Sequence, residues 1–474
     1  MNAFQRWLSG VALVGVLLTG CASVSTDETW HEVQGEVAER TGRLVQWHRG
    51  GEADRAVAHA VDEMLRDGLT AEEAVQIALI NNRDLQGTYE ELGIAQADLV
   101  QAGLLKNPVF EGAFRFIRHD GQAYDLGVTQ DFLDVLLLPL RKKVARSRLE
   151  RVKLSVTAAA MDLTTEVRTA FLRAQAAGQM LAAQRTAMKA AEASYQMAQR
   201  LREAGNISAL DLSLQRELYE ERRLAVQSAD LAVLEARERL NVLLGLWGGD
   251  TEWEITEMLP EVPAEPMDLS DLEKRTVGGS LNLAMAWQDL RTAAREMGVR
   301  VAEKVSPELA AGVEAEGEDP GVWEVGPMLA LPIPLFDRGQ AAKSRGNAQI
   351  NRLWDHYTHL AVRVRSAARM ARNRLLAARQ RAVFYRDVVI PLREKILRQT
   401  QLRYNAMFLG VFQLLQARQL QTEARLRYVR ELANYWIARL QMETLLQGRM
   451  VRGTATVPAM ESAPASTGMN GGGH

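Results

Sequence analysis

"PVFEGAFRFIRHDGQAYDLGVTQDF", residues 108–132, alternates apolar and polar side chains on either side of a short polar cluster. Phe110, Phe114 and Phe116 share one parity, with Glu111 and Arg115 on the other. After "HDGQ" (119–122), Tyr124, Leu126, Val128 and Phe132 fall together, opposite Asp125, Thr129 and Asp131. A period of two with one polar face is the pattern of a strand, and the Asp-Gly cluster marks a turn. The spacing therefore predicts a hairpin over about 108–132. "ELAAGVEAE" (308–316), "GEDPG" (317–321) and "VWEVGPMLAL" (322–331) follow the same plan and predict a second hairpin over about 308–333.

Strands of about 9 to 11 residues can cross a bilayer when tilted. Four strands cannot close a barrel alone, and unpaired backbone edges cannot face lipid. Membrane strands here must therefore close with copies from other protomers. The soluble alternative is a pair of hairpins packed on helices. On the polar faces Glu111, Asp125, Asp131, Glu314, Glu316 and Glu324 outnumber Arg115. Lining a lumen, they would favour cations; on a soluble surface they would serve solvation.

The prolines set the rest of the architecture. None lies between Pro139 and Pro260, and only Pro391 lies between Pro334 and Pro458. Proline costs about 3 kcal/mol inside a helix, so such runs permit long helices. Residues 140–203 read as one, with Val144, Leu149, Val152, Val156, Ala159, Leu163, Val167, Ala170 and Ala174 as a narrow coiled-coil seam. At 1.5 Å per residue this helix extends roughly 100 Å. "EAGNIS" (203–208) breaks it, and a second helix follows from Ala209 to Leu244, with Gly245 as its stop.

"LREAGNISALDLSLQRE" (201–217) superposes on "RYNAMFLGVFQLLQARQ" (403–419) at an offset of 202 residues, with Arg216 on Arg418 and Leu212 on Leu414. That period is too long for a solenoid and predicts a duplicated half-molecule. Pro391 should kink the later long helix, where the earlier copy has Lys189. Gly205 and Gly410 are the expected sources of backbone freedom in the two turns.

"LTAEEAVQIALINNRDLQ" (69–86), "LGIAQADLVQAGLLKNP" (92–108), "LPIPLFDRGQ" (331–340) and the two turns occur in the order and spacing of the TolC-type outer membrane efflux proteins, which this chain resembles over nearly all its length. "GGSLNL" (278–283) departs from that family's usual Arg-Pro-Asp-Leu-like helix start. The resemblance implies a mainly α fold with a small β part. It implies a homotrimer whose strands, four per protomer, form a shared barrel in the outer membrane, continued by a coiled-coil tunnel across the periplasm. It also implies a passive exit duct served by a periplasmic adaptor (membrane fusion) protein and an inner-membrane pump of the RND type. The repeats would be 69–259, with long helices about 139–245, and 260–448, with long helices about 337–447. A tip gate would fall at Asp211, Gln413 and Gln416, with Gln where the best-known member has aspartates. A ring of Gln would lack the strong cation binding of an Asp ring. Adaptor contacts would fall at Gly205, Asn206, Met407 and Gly410.

The N-terminus fits this location. Arg6 precedes an apolar run, Leu8 to Leu18, too short to span a bilayer and suited to a signal peptide over residues 1–20. Leu18-Thr19-Gly20-Cys21 resembles a bacterial lipobox, which makes Cys21 the expected lipid attachment site in a Gram-negative outer membrane. Residues 21–68 would be anchor and linker. Ala22 resembles the outer-membrane-sorted type. Cys21 is the single cysteine of 474 residues, so no intramolecular disulfide forms. The net charge of −2 argues against nucleic acid. Aromatic residues at 6 % beside 47 % hydrophobic residues fit long helices.

No Walker loop, GxSxG elbow or paired nucleophile is present, so neither an enzyme nor a cofactor is expected. His356 and His359 are too few for a metal site. The tail 449–474, rich in Gly and Ser, reads as disordered. Two substrate classes stay open, heavy-metal cations such as copper and organic drugs. A non-transporting coiled-coil spacer is the structural alternative.

Overall fold

The computed structural model describes residues 24–117, 121–255, 257–305, 310–318, 322–330 and 333–450. Cys21 with its leader, the centres of both hairpin turns, residues 308–309 and 331–332, and the tail from 451 lie outside the described residues. The fold is mainly helical with one small antiparallel sheet. Helices α1 (Asp27–Thr41), α2 (Glu52–Arg66), α3 (Ala71–Asn81) and α4 (Arg83–Gln101) lead into β1 (Val109–Ile117) and β2 (Gly121–Asp131). Next come α5 (Phe132–Glu203), α6 (Ala209–Leu244), α7 (Leu272–Gly278) and α8 (Leu281–Val305). Strands β3 (Ala310–Glu318) and β4 (Val322–Ala330) precede α9 (Gln340–Phe384), a π-helical turn (Tyr385–Val389), α10 (Ile390–Asn405) and α11 (Val411–Leu446). No described helix is long and apolar enough to cross a membrane.

The chain divides into two compact units. The first comprises residues up to 36, 87–157 and 283–360. Its sheet runs β1-β2-β3-β4, every pair antiparallel, which leaves β1 and β4 as edges. In its helical part, Trp30 meets Tyr89 edge to face at 4.8 Å, and Gln288 donates to the Ser147 carbonyl at 2.9 Å. Glycine at 346 lets the backbone approach Met297 closely, since a Cβ there would lie 2.4 Å from its Cγ.

The second unit comprises 37–86, 158–282 and 361 onwards. Its core is rich in alanine, with Ala368, Ala378, Ala382 and Ala433 buried around Leu375, Leu432, Tyr435 and Met442. Small side chains permit close helix approach, so packing density rather than side-chain bulk fills this core. The ends of the two 36-residue helices are capped by distant side chains. Asn81 donates to the carbonyls of Leu244 (2.9 Å) and Gly245 (3.1 Å), and Asn82 to that of Leu243 (2.9 Å). Arg40 donates to the carbonyl of Gln447 at 2.8 Å. These bonds satisfy carbonyls that a helix end leaves without partners.

The structure departs from the sequence expectations in several places. The segment expected as a plain linker, 21–68, holds two helices. In α1, Trp30, Val33 and Val37 recur at helical spacing and are buried. Helix α5 starts earlier than residue 140 and carries Pro139 inside it. The missing N–H there frees the Val135 carbonyl, and Val135 is exposed, so water can replace the bond. The narrow seam is also wider than expected. Ala158, Ala160, Met161, Thr164, Thr165 and Phe171 are buried beside Val156, Val167, Ala170 and Ala174, while Val152, Ala159 and Leu163 are half-buried. Pro391 does interrupt its helix, as a π-helical turn just before it. Proline cannot donate to the Asp387 carbonyl, and the wider turn absorbs the misfit. Helix α8 begins at Leu281 within "GGSLNL", where the Leu281 N–H donates to the Gly448 carbonyl at 2.9 Å.

Candidate functional site: the acidic sheet face and the two helix turns

The strand register sorts the sheet by polarity. Phe110 lies opposite Val128, Val128 opposite Val313, and Val313 opposite Pro327. Phe114, Tyr124, Gly317 and Trp323 line up across all four strands on the same face. Phe114 meets Tyr124 edge to face at 5.7 Å, and Tyr124 stacks with Trp323 at 6.4 Å. Trp323 reaches Tyr124 across Gly317, where a Cβ would sit 3.0 Å from the indole ring. Phe110, Phe114, Val325 and Leu329 are each about two-thirds exposed, so this chain alone leaves a broad apolar face uncovered.

The opposite face is acidic. Asp125 lies opposite Glu316 and Glu316 opposite Glu324, which sets three carboxylates in register on adjacent strands. A second row alternates Glu111, Gly127, Glu314 and Gly326. All six expected lumen acids therefore share one face, with Arg115. Arg115 pairs with Asp125, and Lys106 holds Asp131 at 3.2 Å and Asp134 at 3.0 Å. Glu111, Glu314, Glu316 and Glu324 have no ion pair among the described residues. Like charges placed directly opposite destabilise a sheet, so this row weakens the structure that carries it. The described residues contain no cluster of three His, Cys, Asp or Glu arranged to hold a metal. The face is thus a charged surface, and His356 and His359 are exposed on α9.

The two helix turns have one backbone plan. Helices α5 and α10 end at Glu203 and Asn405, and α6 and α11 begin at Ala209 and Val411. Gly205 (φ 75) and Met407 (φ 62) are both left-handed. The Gly205 N–H donates to the Arg202 carbonyl and the Asn206 N–H to that of Leu201; Met407 and Phe408 donate to Tyr404 and Arg403. Every pair is related by the offset of 202 seen in the sequence. Gly205 supplies the freedom expected of it, but Gly410 does not. Gly410 is extended at φ −77 as the residue that begins α11, and Met407 takes the left-handed position.

The caps differ between the turns. Ser208 and Asp211 close a reciprocal box at the start of α6. The Asp211 carboxylate accepts from the Ser208 hydroxyl (2.7 Å) and backbone N–H (3.0 Å), and the Ser208 hydroxyl accepts from the Asp211 N–H at 3.1 Å. The Ser208 hydroxyl, then its N–H, hold the Asp211 carboxyl below the ordinary carboxylate range. Gly410 offers α11 no such cap. Gln413, Gln416 and Asn206 are exposed. Met407 is 93 % and Phe408 82 % exposed, making an apolar knuckle. Sequence reading missed Phe408. Its signal was the placement of two large apolar residues inside a turn.

Residues 125–246, from β2 through both helices of the first turn, match the family described as outer membrane efflux protein. That stretch of the chain resembles the TolC-type family. The cobalt-zinc-cadmium resistance protein CzcC of Cupriavidus metallidurans is 22 % identical over 384 residues, covering 80 % of this chain and 90 % of its own. The fold is that of solved channels. The structure of CusC superposes with a TM-score of 0.66 at 14 % identity, over 80 % of this chain and 92 % of that one. The Campylobacter jejuni CmeC outer membrane channel superposes at 0.63 with 15 % identity, over 81 % and 87 %.

Proposed function

We propose that this chain is an outer membrane efflux protein, the exit duct of a tripartite pump, passing cations from the periplasm or an inner-membrane pump to the outside. The observation that carries this reading is the sheet, with an exposed apolar face, an acidic reverse and two free edges. Closing those edges needs other copies, and three copies give a barrel of about twelve strands, apolar outside and acidic within. Each protomer is a duplicated half-molecule on this reading, with repeats at 69–259 and 260–448. Cys21 carries the lipid that fastens the chain to the outer membrane, after removal of residues 1–20.

Glu111, Asp125, Asp131, Glu314, Glu316 and Glu324 line the lumen. Gln413 and Gln416 form an uncharged constriction, with Asp211 beside them bound into its own helix cap. Gly205, Asn206, Met407 and Gly410 meet a periplasmic adaptor protein, which couples the duct to an RND-type pump. Heavy-metal cations such as copper are the favoured cargo, because the acidic lumen suits cations and because CzcC is named for metal resistance. Organic drugs are the second reading, supported by the uncharged constriction.

The test is a deletion strain and its complemented parent, challenged with sublethal copper, cobalt or zinc, with a hydrophobic dye run alongside. Retained metal with normal dye efflux is expected. Retained dye with normal metal would overturn the metal reading, and a detergent-extracted monomer would overturn the duct.

A further inference from the structure

The segment joining α6 to α7 contains "LPEVPAEP", with Pro260, Pro263 and Pro266 at every third position. That spacing favours an extended polyproline helix, which leaves its carbonyls without internal partners. In this structure the carbonyls are taken by side chains of the later hairpin. Trp436 Nε1 of α11 donates to the Pro260 carbonyl at 2.7 Å. The Tyr428 hydroxyl, also on α11, donates to the Glu261 carboxylate. Arg386 donates to the Val262 carbonyl at 3.4 Å, and Arg379 to those of Pro263 (3.1 Å) and Ala264 (2.8 Å). Leu259 and Val262 anchor the segment in the core against that hairpin. Proline-rich ligands dock in this way elsewhere, on aromatic grooves whose N–H and O–H groups meet prolyl carbonyls. Here the ligand is the chain itself.

The place of docking gives the strap a consequence. Arg386 lies in the π-helical turn Tyr385–Val389, the one described break in the later pair of long helices before their turn. A π turn beside a proline is where a helix bends with the least loss of hydrogen bonds. Arg379 sits just before that turn, and Trp436 and Tyr428 sit on the helix that runs back from Met407. The strap therefore ties the π turn, the helix before it and the facing helix α11 to one extended segment. The first hairpin has no such break, since α5 runs unbroken to Glu203.

We propose that the Pro260–Ala264 strap is a releasable latch that holds the bend at Tyr385–Val389 and thereby sets the resting aperture at the Met407 turn. The latch rests on the duct reading above, and one set of recordings separates the two. The purified full chain is placed in planar lipid bilayers. Channels from the wild type support the duct, and their absence overturns it.

In conducting protein, the double variant Tyr428→Phe/Trp436→Phe removes two donors and keeps an aromatic ring at each position. It should raise the open-to-closed ratio about tenfold or more, as expected for losing one neutral hydrogen bond and one to a carboxylate. Arg379→Gln, at the other end of the strap, should shift it the same way if the double variant assembles poorly. Gln175→Leu frees the Glu257 carbonyl, outside the strap, and should leave gating unchanged. Wild-type gating in the double variant and in Arg379→Gln would overturn the latch. So would an equal rise in Gln175→Leu, which would mark general loosening.

Discussion

Gly205 and Met407 occupy the same left-handed position of two turns with the same backbone hydrogen bonds, yet only one of them is glycine. A left-handed backbone costs a non-glycine residue about 1–2 kcal/mol. Met407→Gly should therefore stabilise its turn by about 1 kcal/mol, less the entropy glycine adds to the unfolded chain. Gly205→Ala should destabilise the first turn by a similar amount. A Cβ at 205 meets nothing within 4 Å, so only backbone strain is at work. Hydrogen exchange at residues 402–412 should slow in Met407→Gly, and exchange at 200–210 should quicken in Gly205→Ala. An unchanged rate at both turns would refute the strain argument.

The Asp211 cap makes the first turn sensitive to acid. Its folded-state affinity for protons lies below the ordinary carboxylate value, because the ionised form accepts two bonds from Ser208. A depressed group stabilises the fold above its unfolded pKa and loses that contribution as pH falls through the folded one. Exchange at residues 206–212 should thus quicken as pH falls below the usual carboxylate range. The Gly410 turn, which has no carboxylate cap, should show no matching step. Asp211→Asn should abolish the step, and its persistence in that variant would assign it to another group.

Much of this architecture was legible because its signals are local. Helix α6 runs from Ala209 to Leu244 as expected, since the break at "EAGNIS" and the stop at Gly245 are each written within a few residues. The strands were legible from their alternation, which also put all six acids on one face. What was not legible depends on partners far away in the chain. Asn81 and Asn82 read as ordinary helix residues until the end of α6, some 160 residues on, is seen beneath them. The proline strap shows its extended form in sequence but not the Trp436 and Arg379 donors that fix it. Pro139 in α5 misled for the opposite reason, because a local breaker was tolerated where water could satisfy the freed carbonyl.

The carboxylate row Asp125, Glu316 and Glu324 should trade stability for selectivity. Replacing Glu316 and Glu324 by Gln removes two opposed like charges and should stabilise the sheet by about 0.2–1 kcal/mol per pair. In bilayers with a salt gradient, the same double variant should move the reversal potential toward zero. The effect should fade at high salt, as screening shortens the reach of the charges. A reversal potential equal to that of the wild type would show that these residues do not line the conducting path.

Gly317 is the position where the aromatic row is most exposed to damage. A Cβ there would lie 3.0 Å from the Trp323 ring, between that ring and Tyr124. Gly317→Val must push Trp323 off the sheet, which breaks its stack on Tyr124 and uncovers the strand beneath. Overpacking of this kind costs about 1–3 kcal/mol. Assembly should suffer more than the helices do, because the row reaches both edge strands, β1 and β4, which the proposed duct joins to neighbouring copies. The heat-resistant oligomer of Gly317→Val on a denaturing gel should dissociate at lower temperature, with helical circular dichroism unchanged. Trp323→Ala in the same chain opens the space again and should restore part of the lost resistance. Failure of that second substitution to restore it would mean that the glycine serves the backbone rather than the tryptophan.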